Sequence, residues 1–419
     1  MIKDIFPSPP MAARLQAGHL GSYMDLLATA LQIQGYSTST ISAHLREVHA
    51  FGCWLAETYK SDEIREQTLE RYLDALSSQK QPLSTQRRQR ITAAIRLLVK
   101  HLRQAGVIAM PLAESLPETE VRQWLIRYQQ YLGKVLGLAP ETSRRYLITA
   151  VRLFEAMSQD GVIDWSNFTA DKLTAFLQAD VMRRKGNGPH GTATAVRSCL
   201  RFLVAQGQIS AGLEIAIPPI RRWSQGSLPQ RLSTAEISQL LTFCSDQTVT
   251  GKRNYAMLLL LSRLGLRAKE VAGLQLNDID WTGGSLLVRS SKTHCQRLLP
   301  LPQDVGEALL SYLQNGRPET TAREVFLTTL PPYRPLETSS TISVTVKRIL
   351  ARAGIKHQSP SGAHLLRHSA ATQMVNRGAS FKDVADILGH QQLQTTGVYA
   401  KLDLAALEKV ALPWPGGAQ

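Results

Sequence analysis

The sequence predicts a mainly α protein: two small helical modules, then a larger, mostly helical C-terminal domain carrying one small antiparallel β-sheet. Three observations carry that expectation. Apolar residues recur at helical spacing behind polar cap residues through most of the chain. A weak internal repeat, offset by about one hundred residues, runs through the first half. One segment alone, Ser285 to Leu301, reads as two short apolar strands around a polar turn.

Length and composition bound the rest. At roughly 100–200 residues per domain, 419 residues suit two to four domains. A hydrophobic content of 43% gives each an ordinary core and excludes global disorder, and 6% aromatics leaves those cores to Leu, Ala, Val and Ile. Cys53, Cys199, Cys244 and Cys295 lie far apart without a CxxC, which supports neither a disulfide framework nor a zinc finger. The apolar stretch Ala256 to Leu261 is far shorter than the roughly 20 residues that span a bilayer. Prolines and Asp4 interrupt the N-terminus where a signal peptide needs an unbroken apolar run. A soluble, cytoplasmic protein with no membrane partner is expected. The formal charge is +15, and each segment has more basic than acidic side chains. That balance suits a protein lying along a polyanion. A basic surface kept for solubility would give the same balance.

In chain order, Tyr36 to Leu45 has its counterpart in Leu138 to Leu147. Each places small polar residues before a helix that continues through Leu45, Val48 and Phe51, or Leu147, Val151 and Phe154. Thr68 to Leu76 resembles Thr169 to Leu177, and each copy closes with a basic amphipathic helix running into a glycine, Ile91 to Gly106 and Thr194 to Gly207. The modules join near Met110 to Pro117, giving boundaries of 1–112, 113–222 and 228–419. Within them, Arg87, Arg88, Arg144 and Arg145 are candidate polyanion contacts. A second linker, Ile217 to Pro229, is bracketed by prolines and carries Arg221 and Arg222, placed to touch phosphates or to sit in a plain solvated spacer. Ser233 to Glu236 then reads as a capping box, Asn254 to Leu264 as core, and the chain beyond about Ser340 as helix.

Four pieces of the C-terminal domain belong together chemically. They are Gly265-Leu-Arg267 with Glu270 one turn on; Lys292 in the hairpin turn followed by Arg297 and Pro300; His364-Leu-Leu-Arg367-His368; and Leu388-Gly-His390 followed by Tyr399. Positions i and i+3 put His364 and Arg367 on one helical face. Two arginines can clamp the non-bridging oxygens of a phosphodiester bidentately, as metal ions do elsewhere. A tyrosine can be the covalent nucleophile, and a lysine or histidine can protonate the departing alkoxide. Acids are sparse around these positions, so no metal site is expected. Taken singly, each residue has a duller reading: a capping arginine, a core histidine, a solvated turn lysine. Glu270 reads as orienting an arginine, and Arg297 and His368 as structural.

From about residue 228 to 405 the chain resembles the catalytic domain of tyrosine recombinases, the phage-integrase and Xer-like family. The family's Arg, Lys, His-x-x-Arg, His and Tyr fall on Arg267, Lys292, His364 with Arg367, His390 and Tyr399, in family order. Val384-Ala385 departs from the pattern, since many members have a polar residue there, but it touches no catalytic position. Residues 118–215 are similar to the family's helical core-binding domain. Residues 1–112 look like an extra SAM-like module of the kind transposon-borne integrases carry. The resemblance implies cleavage of double-stranded DNA at specific sites through a 3′-phosphotyrosine, without cofactor or metal, in integration, excision or resolution. It implies a synaptic homotetramer or an assembly with sister recombinases, and a tail helix, Asp403 to Ala411, that docks on a neighbour. Two rivals stay open: a type IB topoisomerase, and a catalytically inactive DNA-binding regulator. The complete set of six weighs against the regulator, and the extra modules and tail weigh against the topoisomerase.

Overall fold

The computed structural model of the protein describes residues 2–58, 66–77, 84–106, 119–159, 161–183, 188–218, 230–244, 248–289, 296–336, 338–356, 362–390 and 396. The chain is mainly α with small antiparallel sheets, and it divides into two compact units, residues 109–226 on one side and residues 1–108 with 227–419 on the other.

The chain opens with α1 (Ile2–Ile5), α2 (Pro9–Ala17), α3 (Gly21–Ile33), α4 (Thr38–Thr58), α5 (Glu66–Ser77) and α6 (Thr85–Gln104). The expected stripe on α4 is buried: Leu45, Val48 and Phe51 face Ile91, Ile95 and Leu98 of α6 in a core of their own. Ser84 caps α6, its hydroxyl accepting from the Arg87 N–H at 3.3 Å. The basic side chains Arg87, Arg88, Arg96 and Lys100 are exposed on α6.

Residues 109–226 contain α7 (Glu120–Gln130), α8 (Pro140–Met157), β1 (Ser158–Gln159), β2 (Val162–Ile163), α9 (Ala170–Arg183) and α10 (Gly188–Ala205). Trp124, Tyr128, Phe154, Leu177 and Leu200 form its core. Two details differ from the sequence expectation. The start of α8 has no side-chain cap; Pro140 stands in its first turn, where a missing N–H costs nothing. The short β1–β2 ladder, pairing Ser158 with Ile163, adds a second sheet.

The C-terminal domain contains α11 (Thr234–Phe243), α12 (Val249–Arg263), α13 (Ala268–Ala272), β3 (Ile279–Asp280), β4 (Ser285–Arg289), β5 (Gln296–Pro300), α14 (Gln303–Asn315), α15 (Ser339–Arg352), α16 (Gly362–Asn376) and α17 (Phe381–Leu388). The capping box at Ser233 and Glu236 is present. The expected hairpin forms, and β3 extends it to an antiparallel sheet of order β3-β4-β5. Leu286 pairs with Leu299 and Val288 with Arg297, so Arg297 lies on the face that holds Leu299 in the core. Buried α12 packs on α14 and α16. Among the described residues no helix is long and apolar enough to cross a membrane.

Candidate active site

The site is built where α17 ends. Ser380 opens this helix with a capping box to Asp383, and Gly389 closes it in the left-handed region at φ 64°. The Gly389 N–H donates to the Asp386 carbonyl at 3.1 Å and the His390 N–H to that of Ala385 at 2.9 Å. The next carbonyls would be left without partners at a helix terminus. Three arginines from three other elements take them in sequence. Arg297 Nε donates to the Ile387 carbonyl at 2.8 Å, Arg367 Nη2 to Leu388 at 2.8 Å, and Arg267 Nη2 to Gly389 at 2.8 Å. Positive charge at the negative end of a helix is favourable in itself.

Two glycines make room for this convergence. A Cβ on Gly389 would lie 2.9 Å from Arg297 Nη1. Gly265, left-handed at φ 62°, turns the chain out of α12, and a Cβ there would meet Leu388 Cδ2 at 2.5 Å. The Gly265 carbonyl accepts a second bond from Arg367, Nη1 at 2.6 Å, which makes Arg367 a bridge between that turn and α17.

Glu270 sits between two of the arginines. Its carboxylate accepts the Arg267 backbone N–H at 2.9 Å and Arg267 Nη1 at 2.7 Å. It also accepts Arg297 Nη1 and Nη2 at 3.1 and 2.8 Å. The Glu270 side chain is 3% exposed, so burial pushes its carboxyl up. The hydrogen bonds and charge of Arg297, then those of Arg267, outweigh burial and hold it below the ordinary carboxylate range.

The histidines respond oppositely. Burial lowers His390 to about 4, helped by Arg367 and Arg267, and burial with His364 and Arg367 lowers His368 to about 4. Partial burial also lowers His364, followed by the charges of Arg367 and Arg267, although the residue as a whole is exposed. His390 Nδ1 stands 2.8 Å from the Thr396 hydroxyl. The result is a fixed cationic cluster with neutral imidazoles beside it, suited to gripping a phosphodiester while leaving ring nitrogens able to accept a proton.

The structure thus brings together Arg267, Glu270, His364, Arg367 and His390. Lys292, Tyr399, Arg221, Arg222 and the tail Asp403 to Ala411 lie outside the described residues. Arg87 and Arg88 are exposed at the start of α6, and Arg145 is exposed on α8. Arg144, also exposed, is engaged with Glu141 at 2.7 and 3.0 Å. Arg297, read from sequence as structural, joins the cluster directly. Its signal was strand parity: Gln296 and Leu298 point outward, Arg297 and Leu299 inward. Among the described residues no group of three or more His, Cys, Asp or Glu side chains is placed to hold a metal ion.

Comparison with known proteins follows the same lines. A family model described as the phage integrase family matches residues 230–405. The chain is 38% identical over 328 residues to y4rA of Sinorhizobium fredii, an integrase/recombinase by name, covering 78% of this chain and 79% of that one. A second integrase/recombinase by name from the same organism, y4rF, is 29% identical over 433 residues, covering 100% of this chain and 97% of the relative. Among solved structures, the XerH site-specific recombinase bound to a palindromic difH substrate superposes with a TM-score of 0.53 at 17% identity, covering 87% of this chain and 94% of that one. A lambda integrase tetramer bound to a Holliday junction gives 0.53 at 19% identity, covering 77% and 89%. Both structural likenesses are likenesses of fold.

Proposed function

The chain belongs to the phage integrase family, the tyrosine recombinases, and is a site-specific recombinase; from that premise we propose that it cleaves and rejoins double-stranded DNA through a 3′-phosphotyrosine link to Tyr399. The Tyr399 hydroxyl attacks the scissile phosphorus, the bond to the 5′-oxygen breaks, and Lys292 gives that oxygen its proton. Arg267 and Arg367 hold the non-bridging oxygens, and His364 and His390 hydrogen-bond the phosphate or take the tyrosine proton. A 5′-hydroxyl from a partner strand then attacks the link and releases Tyr399, so the bond energy is conserved without ATP. Exchange at two sites calls for four protomers on two duplexes, with residues 403–411 docking between neighbours. The helical modules 1–112 and 113–222 would each contact the duplex, with Arg87, Arg88, Arg144, Arg145, Arg221 and Arg222 against phosphates.

The observation that carries this reading is the anchoring of Arg267 and Arg367 on the Gly389, Leu388 and Gly265 carbonyls. Guanidiniums held by backbone need no reorganisation as charge develops on the phosphate, which is where electrostatic catalysis is gained. The test is covalent trapping on duplexes nicked just beyond the cleavage point. Wild-type protein should form a covalent DNA adduct that persists in EDTA, and Tyr399→Phe should form none. An undiminished adduct in Tyr399→Phe would sink the nucleophile assignment.

A further inference from the structure

We propose that Arg297 is a positioning residue for the phosphate clamp: from the inward face of β5 it fixes the Glu270 carboxylate on which Arg267 is braced, and ties both to the end of α17 that carries His390. This rests on the reading of Arg267 as a phosphate-holding arginine. Each of the three guanidinium nitrogens of Arg297 already donates to a protein acceptor, the Ile387 carbonyl or a Glu270 oxygen, and the side chain is only 13% exposed. With all three nitrogens spent on protein acceptors, Arg297 is placed to brace its neighbours rather than to grip a ligand itself. Arg267, at 25%, keeps more of its side chain open while its Nη1 and Nη2 are held by Glu270 and Gly389. One buried carboxylate thus holds two guanidiniums, and only one of them faces outward.

Removing Arg297 would leave Glu270 buried with half its counter-charge. The groups around that carboxylate are Arg267 at the start of α13 and Arg297 on β5, with Arg367 of α16 and His390 after α17 in the same cluster. The Arg297 hydrogen bonds and charge are the larger of the influences opposing burial, so without them the carboxyl takes up a proton at higher pH. A protonated Glu270 accepts poorly from Arg267 and frees it to swing. Arg297 would then act on the rate through the ionisation of another residue, a signature that a simple packing role does not produce.

The experiment uses the full chain and a nicked duplex selected from a random-sequence pool by covalent trapping on the wild-type protein, with the rate of adduct formation followed from pH 5.5 to 9. Arg297→Gln should slow trapping on the order of 10²-fold at the acid end, the scale expected for a misplaced catalytic group, with DNA affinity unchanged. The rate should recover as pH rises and Glu270 ionises. Arg297→Lys, which keeps the charge, should retain the wild-type pH profile, and adding Glu270→Gln to Arg297→Gln should abolish the recovery. Arg297→Gln with the wild-type profile, or with its whole loss in DNA affinity, would overturn the proposal while leaving the clamp intact. Should Arg297→Gln fail to fold, folded Glu270→Gln carries the test: wild-type trapping by it overturns the proposal, and slow trapping that stays slow at high pH supports it. Arg267→Ala is the control, because wild-type trapping there would remove the clamp reading itself.

Discussion

His368 and His390 each stand near pH 4 in the folded chain, against about 6.5 for a free imidazole. Between those values the unfolded chain binds protons that the folded chain refuses. Their contribution to stability is therefore complete above about pH 6.5 and is lost as pH falls towards 4. The melting temperature should drop on acidification through this window, and His368→Gln should drop less steeply because one of the two groups no longer titrates. Identical slopes would show that His368 is not held neutral by its surroundings. At the same scale, Arg267, His364, Arg367 and His390 were legible in the sequence because their spacing is short and motif-bound. Arg297 was legible only in part: strand parity sets it on the inward face with Leu299, but no linear spacing brings that face against Glu270. The observed register agrees with that face, since buried Val288 stands opposite Arg297.

At the scale of elements, Gly389 is where helix geometry and site chemistry coincide. Gly389→Ala would place a Cβ in the left-handed region, at about 1–2 kcal/mol, and crowd it to 2.9 Å from Arg297 Nη1. The variant should lose about that much stability, melt at a lower temperature and trap DNA more slowly while binding it as well as wild type, which melting and gel-shift measurements would check. Undiminished trapping would mean the guanidiniums can move without cost. Long periodic elements were readable in advance: α4, α6, α12 and the β4–β5 hairpin all carry an apolar repeat over several turns or residues. The two-residue strands β1 and β2, and the π-helical turn Tyr131–Val135 that follows α7, are too short to show any period.

For the whole molecule, the excess of positive charge is the property that DNA would meet first. The exposed set Arg87, Arg88, Arg96 and Lys100 lies on one helix of a module with its own apolar core, so replacing all four with alanine should leave that core undisturbed. If the helix grips phosphates, the slope of log K against log salt should flatten by about 0.9 for each phosphate no longer neutralised, with cleavage of the bound duplex unchanged. An unaltered slope would assign the module to protein binding instead. The arginine joints at the end of α17 set a limit of another sort. Ile387, Leu388 and Gly389 are consecutive, and each extra residue in a helix advances it by about 1.5 Å and turns it by about 100°. An insertion within Phe381–Leu388 would misalign all three joints together, whereas many outward-facing substitutions there would disturb none. The chemistry therefore constrains the length of α17, counted from the Ser380 cap to Gly389, more tightly than its sequence.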